Sequence, residues 1–432
     1  MITSELWRGK RFAVLGLARS GAATVEALVA SGADVFAWDA DEERRKAVIQ
    51  YHASGVTIAD TDMLDFAGYD GVIVSPGVPI NRHPIAAKAR AAGVPLIGDI
   101  ELFAQARAGL PAHKVVGITG TNGKSTTTAL IYHILQTAGV PSRMGGNIGL
   151  PILGEDPLPE GGVYVLELSS YQIDLTLSLD CEVAVLLNIT PDHLDRYDGF
   201  EAYAAAKARL FAMQSPDHDA IISIFDAPSA AIARSLSARG EHLTKIASGF
   251  CMDQSRWPSL QGPHNAQNAL AAINVCEALG VGQAAIDDGL ASFHGLAHRM
   301  ETVATKHGVR FVNDSKATNP ESAAPALAAF EDIHWILGGR AKSPSLEACR
   351  PGFPHIRAAY TIGEAGEQFC ALLAGEMPVT YCETLDRAVA MAATAARAGE
   401  TVLLSPACAS FDQFRDFEAR GDAFRSAVEA LA

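Results

Sequence analysis

This chain has little of what marks exported, membrane-embedded or metal-cluster proteins. No segment approaches the roughly 18 uninterrupted apolar residues of a membrane span, and Met1-Ile-Thr-Ser-Glu-Leu-Trp7 has no basic stretch leading into an apolar run. A soluble, cytoplasmic protein is expected. Its seven cysteines are scattered without a close CxxC pair, which excludes the usual zinc spacings and suggests buried thiols in a reducing compartment. Cys408, within Ser405-Pro-Ala-Cys-Ala-Ser410, reads as a small core residue. Positive charge is also scarce. A formal net charge of −15 argues against a general nucleic-acid or anionic-membrane partner, both of which reward a basic face. There is no internal repeat and no low-complexity tract.

What is present is a globular composition, 49% hydrophobic and 19% charged, over 432 residues. That is too long for one ordinary core, and three domains are expected. The stretch with the plainest chemistry is Val115-Val-Gly-Ile-Thr-Gly-Thr-Asn-Gly-Lys-Ser-Thr-Thr-Thr128, an apolar strand, a glycine-rich turn and a helix beginning near Lys124. Backbone N–H groups in such a turn converge on phosphate oxygens, and the helix N-terminus adds unpaired donors and a favourable dipole. Lys124 would reach the terminal phosphates and Ser125 would hold Mg²⁺. The general pattern puts its first glycine where this chain has Ile118, so the loop is a variant.

Before this loop, Arg11–Gly16, a helix over 20–31 and Asp34–Asp39 form a βαβ unit. Gly16, Ala18 and Gly21 occupy the dinucleotide-fingerprint positions, with the acidic Asp39 about twenty residues on. Ala18 and Arg19 stand where a central glycine would be, which disfavours NAD but leaves room for a diphosphate on the turn; a turn that binds nothing stays open. Further strands are expected at 71–75 and 93–98, with a helix over 84–92, and a boundary near residue 108.

Beyond the loop, Gly162–Ser170 and Val183–Thr190 are dense apolar runs of the kind found in central parallel strands. Their C-terminal ends bring Glu167 and Asn188-Ile-Thr-Pro-Asp-His-Leu-Asp195 to the edge that carries the phosphate loop. Glu167 interrupts an apolar strand, so it needs a partner: Mg²⁺, or else a buried Lys or Arg. Lys207, in the alanine-rich helix 200–213, reads on its own as a solvated helix lysine. Asn265 and Asn268 stand three apart at the start of a helix to Leu279, where capping accounts for Asn265 but not for Asn268. Paired amides there could read an adenine edge. After a second boundary near 297, a hairpin turning at Lys306-His-Gly308 leads into βα alternation that implies another open parallel sheet.

Taken in order, Gly117–Thr126, Gly146-Asn-Ile-Gly149, Glu167-Leu-Ser-Ser-Tyr-Gln172, Asn188–Tyr197, His264–Asn268, His298-Arg299 and Asn313-Asp-Ser-Lys-Ala-Thr-Asn319 resemble the motifs of the Mur ligases. These are the ATP-dependent amide-forming enzymes of peptidoglycan precursor synthesis. Asn313–Asn319, Leu337-Gly-Gly-Arg-Ala-Lys-Ser343 and Leu404–Phe414 are similar to the members that add D-glutamate to UDP-N-acetylmuramoyl-L-alanine. The resemblance implies an α/β protein of three domains. These are a Rossmann-like domain binding the UDP substrate (1–108), a central P-loop ATPase-type parallel sheet (109–297) and a Rossmann-like amino-acid-binding domain (298–432).

It further implies that Gly120, Thr121, Asn122, Gly123, Lys124, Ser125 and Thr126 cradle ATP. Asn265 and Asn268 would face the adenine and Asp314 the ribose, while Arg299 would reach across from the third domain to the phosphates. Mg²⁺ would sit on Ser125 and Glu167, and a second ion on His193 and a carbamylated Lys207, reversing the solvated reading of that lysine. For the UDP substrate it implies Arg19 and Ser20 at the diphosphate, Asp39 at the uracil and Asn147 at a phosphate. For glutamate it implies Thr318, Lys342, Ser410 and the Phe417 region. A monomer that closes its domains around the substrates is expected, with Lys124, His193, Lys207 and Arg299 in catalytic roles. Two rivals share parts of this pattern: folylpolyglutamate synthetase, disfavoured by the first domain, and a nucleotide-switched binding protein.

Overall fold

A computed structural model of the chain describes residues 1–52, 55–192, 196–247, 252–341 and 345–431. His193 and Lys342 lie outside the described residues. The described residues form three sheets, gathered into two compact units.

The first unit, Met1–Cys251 with Gln267–Leu290, contains two of the sheets. In the N-terminal one, β1 (Arg11–Leu15), β2 (Asp34–Trp38), β3 (Val56–Ile58), β4 (Gly71–Val74) and β5 (Leu96–Ile97) lie in the order β3-β2-β1-β4-β5. All four pairings are parallel. Phe12–Leu15 and the whole of β4 are buried, as central parallel strands covered on both faces must be. The helices are α1 (Arg19–Ala30), α2 (Glu42–His52), α3 (Ile85–Ala91) and α4 (Asp99–Ala106). The strand expected over 93–98 shrinks to two residues, because Gly93 takes φ 66° and Gly98 already sits at the N-cap of α4.

The second sheet of this unit is built from β6 (His113–Thr119), β7 (Ser142–Gly146), β8 (Gly162–Glu167), β9 (Val183–Leu186), β10 (Asp219–Ser223) and β11 (Leu243–Ile246). Its order is β11-β10-β9-β6-β8-β7, parallel throughout. The register sets Ile118 opposite Glu167 and Thr119 opposite Leu186. The loop after β6 therefore emerges between the ends of β8 and β9. Its helices are α5 (Lys124–Thr137), α6 (Ser170–Asp174), α7 (Phe200–Ala212), α8 (Ala227–Ser235), α9 (Pro263–Ala278) and α10 (Gln283–Ser292), with the first turn of α9 grouped in the other unit.

Directional bonds join these two sheets. Gly98 N–H donates to the Leu175 carbonyl at 2.8 Å, and a Cβ on Gly98 would press on Leu175 Cβ at 3.1 Å. The buried Glu101 carboxylate on α4 accepts from Leu177 N–H (2.7 Å), Ser178 N–H (2.9 Å) and the Ser178 hydroxyl (2.8 Å). Arg107 pairs with Glu182 at 2.8 Å and donates to the Asp180 carbonyl.

The second unit, Met252–Ala266 with Ala291–Ala432, holds one sheet. Its strands are β12 (Glu301–Lys306), β13 (Val309–Asn313), β14 (Ile333–Gly338), β15 (Ile356–Ile362), β16 (Val379–Glu383) and β17 (Thr401–Leu404), ordered β12-β13-β17-β14-β15-β16. The expected open parallel sheet is in fact mixed. The hairpin turning at His307 and Gly308 (φ 50° and 78°) is its antiparallel edge, and β13 then pairs parallel to β17. The strands alternate between two cores, with Val312, Leu337 and Leu403 on one face and Phe311, Ile336 and Leu404 on the other. Helices α11 (Pro320–Ala329), α12 (Gly366–Leu373), α13 (Leu385–Ala395) and α14 (Phe417–Glu429) cover them. No described helix is long and apolar enough to cross a membrane.

Glu101→Ala removes the acceptor of four donors, Gln105 Nε2 on its own helix and three across a buried seam. It should cost about 2–4 kcal/mol, seen as a lower urea midpoint for the first cooperative transition; an unchanged midpoint would show that solvent replaces the carboxylate freely.

Candidate active site

Gly120 (φ 150°) and Gly123 (φ 85°) shape the loop between β6 and α5. A Cβ on Gly120 would lie 3.1 Å from Leu187 Cβ and 3.3 Å from the Asn188 backbone, and one on Gly123 would collide with Asn268 Oδ1. Only glycine lets the backbone pass so close. Gly123 is also the N-cap of α5 and, as glycine, brings no side-chain cap, an arrangement suited to an anion at a helix N-terminus.

The loop is held by the segment after β9. Asn188 acts like a strand peptide: its Oδ1 accepts from Asn122 N–H (2.9 Å) and its Nδ2 donates to the Asn122 carbonyl (3.1 Å). Thr121 N–H donates to the Asn188 carbonyl at 2.9 Å. Thr121 Oγ1 donates to the Thr190 carbonyl, accepts from Thr190 N–H and lies 3.2 Å from the Tyr203 hydroxyl. Asn188, Thr190 and Tyr203 were not among the expected site residues. The first two lie in a segment the strand ends pointed to; for Tyr203 the only signal was its place on the buried face of α7.

Two lysines meet here. Lys124 Nζ donates to the carbonyls of Gly120 (2.9 Å) and Thr121 (2.8 Å), and Lys207 Nζ donates to the same Gly120 carbonyl at 2.8 Å. Lys207 is not the solvated lysine its residue type suggests. Tyr203, Ala206, Lys207 and Leu210 are all buried, at the i, i+3, i+4, i+7 spacing of an inward helix face. Lys207 Nζ stands 4.6 Å from the Tyr203 ring centre. Burial first, and the neighbouring Lys124 charge second, push its pKa well below the ordinary lysine value.

Glu167 ends β8 fully buried. Its Oε1 accepts from Asn147 Nδ2 at 3.1 Å, while Oε2 is buried with no hydrogen-bond partner among the described residues. A desolvated carboxylate oxygen without a donor is costly, and a hard divalent cation is the group that would satisfy it. Ser125, buried in the first turn of α5, adds a second oxygen. No described group of three His, Cys, Asp or Glu residues forms a metal cage. This sparse donor set fits Mg²⁺, which takes few protein ligands alongside phosphate oxygens. Asn147, expected at a phosphate, gives both its side-chain amide and its N–H to Glu167, the latter to the carbonyl at 2.8 Å.

At the first βα turn, a Cβ on Gly16 (φ 91°) would collide with the Ser75 side chain, and one on Gly21 with the Gly16 carbonyl. Helix α1 starts at Arg19 after Ala18, which provides no side-chain cap, leaving another bare helix N-terminus with Arg19 exposed and Ser20 half-buried. Asp39 is buried and already engaged, accepting from Leu17 N–H (2.6 Å) and Asp41 N–H (2.9 Å), with Arg44 at 3.3 Å. Burial alone would raise its pKa, but these partners together hold it below the ordinary aspartate value.

In the second unit Arg299 sits between two left-handed non-glycine residues, His298 (φ 62°) and Met300 (φ 46°). Such strain is maintained only where surroundings enforce it. Here Asn313 Nδ2 lies 3.0 Å from His298 Nδ1, Lys316 N–H donates to the His298 carbonyl (3.0 Å) and Met300 N–H donates to Asp314 Oδ1 (3.2 Å). Asp314 also accepts from the Ser405 hydroxyl at 2.8 Å, yet burial outweighs these bonds and raises its pKa to about 7. Arg420, unforeseen in sequence, is buried and gathers the neighbouring loops. Its guanidinium donates to Ser315 Oγ (3.0 Å), the Ser315 carbonyl (2.8 Å) and the Cys408 carbonyl (3.0 Å). Ser410 is buried beside that loop, Thr318 is half-buried, and Phe417 opens α14 with its ring 3.9 Å from Lys316 Nζ. Cys408 is a buried thiol pushed up to about 12 by burial, hence a core residue. Asn265 is not a cap: α9 begins at Pro263, and Asn265 Nδ2 donates to the Gln261 carbonyl at 3.1 Å. Asn268 is buried beside Gly123.

Three family models match the chain: "Mur ligase MurD-like, N-terminal domain" over residues 10–98, "Mur ligase middle domain" over 118–258 and "Mur ligase, glutamate ligase domain" over 298–408. A protein of Novosphingobium aromaticivorans named UDP-N-acetylmuramoylalanine--D-glutamate ligase is 62% identical over 100% of this chain and 97% of its own length. A protein of the same name from Sphingopyxis alaskensis is 61% identical over 100% of both. Among solved structures, UDP-N-acetylmuramate-alanine ligase MurC from Thermotoga maritima aligns over 98% of this chain and 99% of its own, with a TM-score of 0.60 at 17% identity, a likeness of fold. From its glycine-shaped phosphate loop to its full-length relatives, the chain belongs to the Mur ligase family.

Proposed function

We propose that this protein joins D-glutamate to UDP-N-acetylmuramoyl-L-alanine at the expense of ATP, forming an amide bond of a peptidoglycan precursor. The observation that carries the reading is the identity of about three residues in five, over the entire chain, with relatives named for that reaction. The domain limits we assign are 1–108 for the UDP substrate, 109–297 for ATP and 298–432 for the amino acid. What supports this division is that the three family models fall at residues 10–98, 118–258 and 298–408, one in each.

The chemistry brings two anions together. The substrate carboxylate attacks the γ-phosphorus of ATP, releasing ADP and leaving an acyl phosphate; the amine of glutamate then attacks the acyl carbon, loses a proton and expels phosphate. Charge accumulates on the transferring phosphoryl group, and the residues around it are those that supply fixed positive potential. Backbone N–H groups from Gly120 to Thr126 receive the phosphates. Lys124, which donates to two carbonyls of the loop, exchanges those acceptors for phosphate oxygens. Mg²⁺ held by Ser125 and Glu167 would neutralise charge on the phosphates. Asn268, at the rear of Gly123, and Asn265 hold the adenine, and Asp314 the ribose. Arg299 contributes a further cation to the phosphates.

For the UDP substrate, the bare N-terminus of α1 with Arg19 and Ser20 takes the diphosphate. Asp39 orders that turn through Leu17 and meets the uracil at its edge. Asn147 joins the two tasks, holding Glu167 while facing the same strand edge. Thr318, Ser410, Phe417 and Lys342 hold glutamate. Lys207 suits carbamylation because burial first, and Lys124 second, lower its pKa and so favour the neutral amine, the form that adds CO₂. The product carbamate, with His193, would supply oxygen and nitrogen ligands for a second Mg²⁺.

Phosphate release should require UDP-N-acetylmuramoyl-L-alanine and D-glutamate together. L-glutamate or a folate acceptor supporting equal turnover would overturn the specificity, and hydrolysis without a covalent product would favour a nucleotide switch. Lys124→Ala should lower turnover by about 10²–10³-fold; near-normal rates would remove it from the site. For Lys207, ¹³C-labelled CO₂ should give a carbamate carbon resonance that is absent in Lys207→Ala, and short carboxylates should partly restore activity to that variant. A bare amine in fully active enzyme would exclude the modification.

A further inference from the structure

Arg196 is absent from every role described so far, yet it makes one of the densest sets of contacts in the first unit. Its guanidinium fans out over three successive backbone carbonyls of the loop after β4: Nη2 donates to Pro76 (3.0 Å) and Val78 (3.2 Å), and Nη1 to Gly77 (3.3 Å). That loop is tied to the first βα turn, since Ser75 Oγ donates to the Gly16 carbonyl at 2.8 Å and Val78 N–H donates back to the Ser75 carbonyl at 3.0 Å. The other face of the guanidinium lies 4.1 Å from the centre of the Tyr171 ring.

From Tyr171 the contacts run on to the phosphate loop. The Tyr171 and Tyr197 rings are nearly parallel, 6.0 Å apart and 14° between planes. Tyr197 packs at 5.4 Å against Tyr203 and is fixed by its hydroxyl donating to Asp174 at 2.7 Å. The Tyr203 hydroxyl meets Thr121 Oγ1 at 3.2 Å. Beside Arg196 the seam between the two sheets is not close-packed. A cavity of about 520 Å³ opens there, lined by Ile80, Asn81, Arg90, Arg196, Tyr197 and Asp198 among others. Where apolar packing is missing, the position of a loop depends on its directional bonds.

We propose that Arg196 is a positioning residue for the reaction: it braces the 76–78 loop against the tyrosine stack, and so sets where the carboxylate of the UDP substrate stands relative to the phosphate loop. The proposal rests on the ligase function given above. In-line attack tolerates little displacement, and an error of about 1 Å can cost on the order of 10²-fold in rate. Three carbonyls in one fan, with an aromatic platform behind, are matched to the planar five-donor geometry of arginine; lysine, with a single ammonium, cannot reproduce both.

The test uses the full-length enzyme and the variants Arg196→Ala, Arg196→Lys and Tyr171→Leu. ADP-forming turnover is measured with all substrates, and calorimetry gives the affinity for a non-hydrolysable ATP analogue and for the UDP substrate, each alone. We expect kcat to fall about 10–100-fold in Arg196→Ala and less in Arg196→Lys, with Tyr171→Leu in the same direction. Each separate affinity should change less than about threefold. A kcat within about twofold of the parent overturns the role, and so does a loss of rate that merely tracks lost ATP binding, the signature of a damaged fold. Should Arg196→Ala fail to fold, Arg196→Lys decides by the same split. An inactive parent enzyme would overturn the function itself and this role with it; an active parent with an unaffected Arg196→Ala overturns the role alone.

Discussion

The Gly120 carbonyl is where the charges of this site meet. It receives the side-chain nitrogens of both Lys124 and Lys207, and Glu167 nearby on the neighbouring strand keeps a buried oxygen with no donor among the described residues. Two lysines crowded on one acceptor, and a carboxylate oxygen without a donor, both carry a cost in a low-dielectric interior, which the first shows as the depressed pKa of Lys207. Each imbalance is relieved by a component of the proposed reaction: phosphate for Lys124, carbamylation for Lys207, a divalent cation for the carboxylate. The cost is borne by packing elsewhere in the sheet, where every residue of β8 and β9 is buried.

The βα order and the strand ends were legible because they rest on local patterning. Runs such as Val183–Leu186 have no polar alternative, and Gly120 and Gly123 announce a turn no other residue would take. Where local patterning is weak, elements went unread. Helix α2 is Glu-Glu-Arg-Arg-Lys at its start and anchors through little more than Val48, and β16 is a half-buried edge strand. The hairpin at 306–308 was recognised, but its place as the edge of a mixed sheet follows from the pairing of β13 with β17, almost ninety positions later, which no window can contain.

The site residues divide along the same line. Motif residues, from Lys124 to Asp314, are placed by a short stretch of chain and could be named from it. Arg420 and Arg196 could not, because what defines them is the set of distant carbonyls they collect: Ser315 and Cys408 in one case, Pro76 to Val78 in the other. On a helix or in a turn, an arginine of this kind is indistinguishable from a solvated one. Lys207 shows the intermediate case, since the spacing Tyr203, Ala206, Lys207, Leu210 does mark an inward face, and only the habit of assigning lysine to solvent hides it.

The first unit brings together two sheets, to which the proposed reaction assigns different parts of the chemistry, and it does so with polar clamps as well as with an apolar core common to both. Glu101 gathers N–H groups, Arg107 pairs with Glu182, and Arg196 gathers carbonyls. Hydrophobic contact would hold the sheets together but is non-directional, tolerating sliding at little cost. Hydrogen bonds to fixed backbone groups fix distance and angle together. For a reaction in which a carboxylate from one sheet must meet a phosphorus atom presented by the other, angular definition is the scarcer requirement. That is a physical reason for charged residues to stand at this seam beside its apolar core.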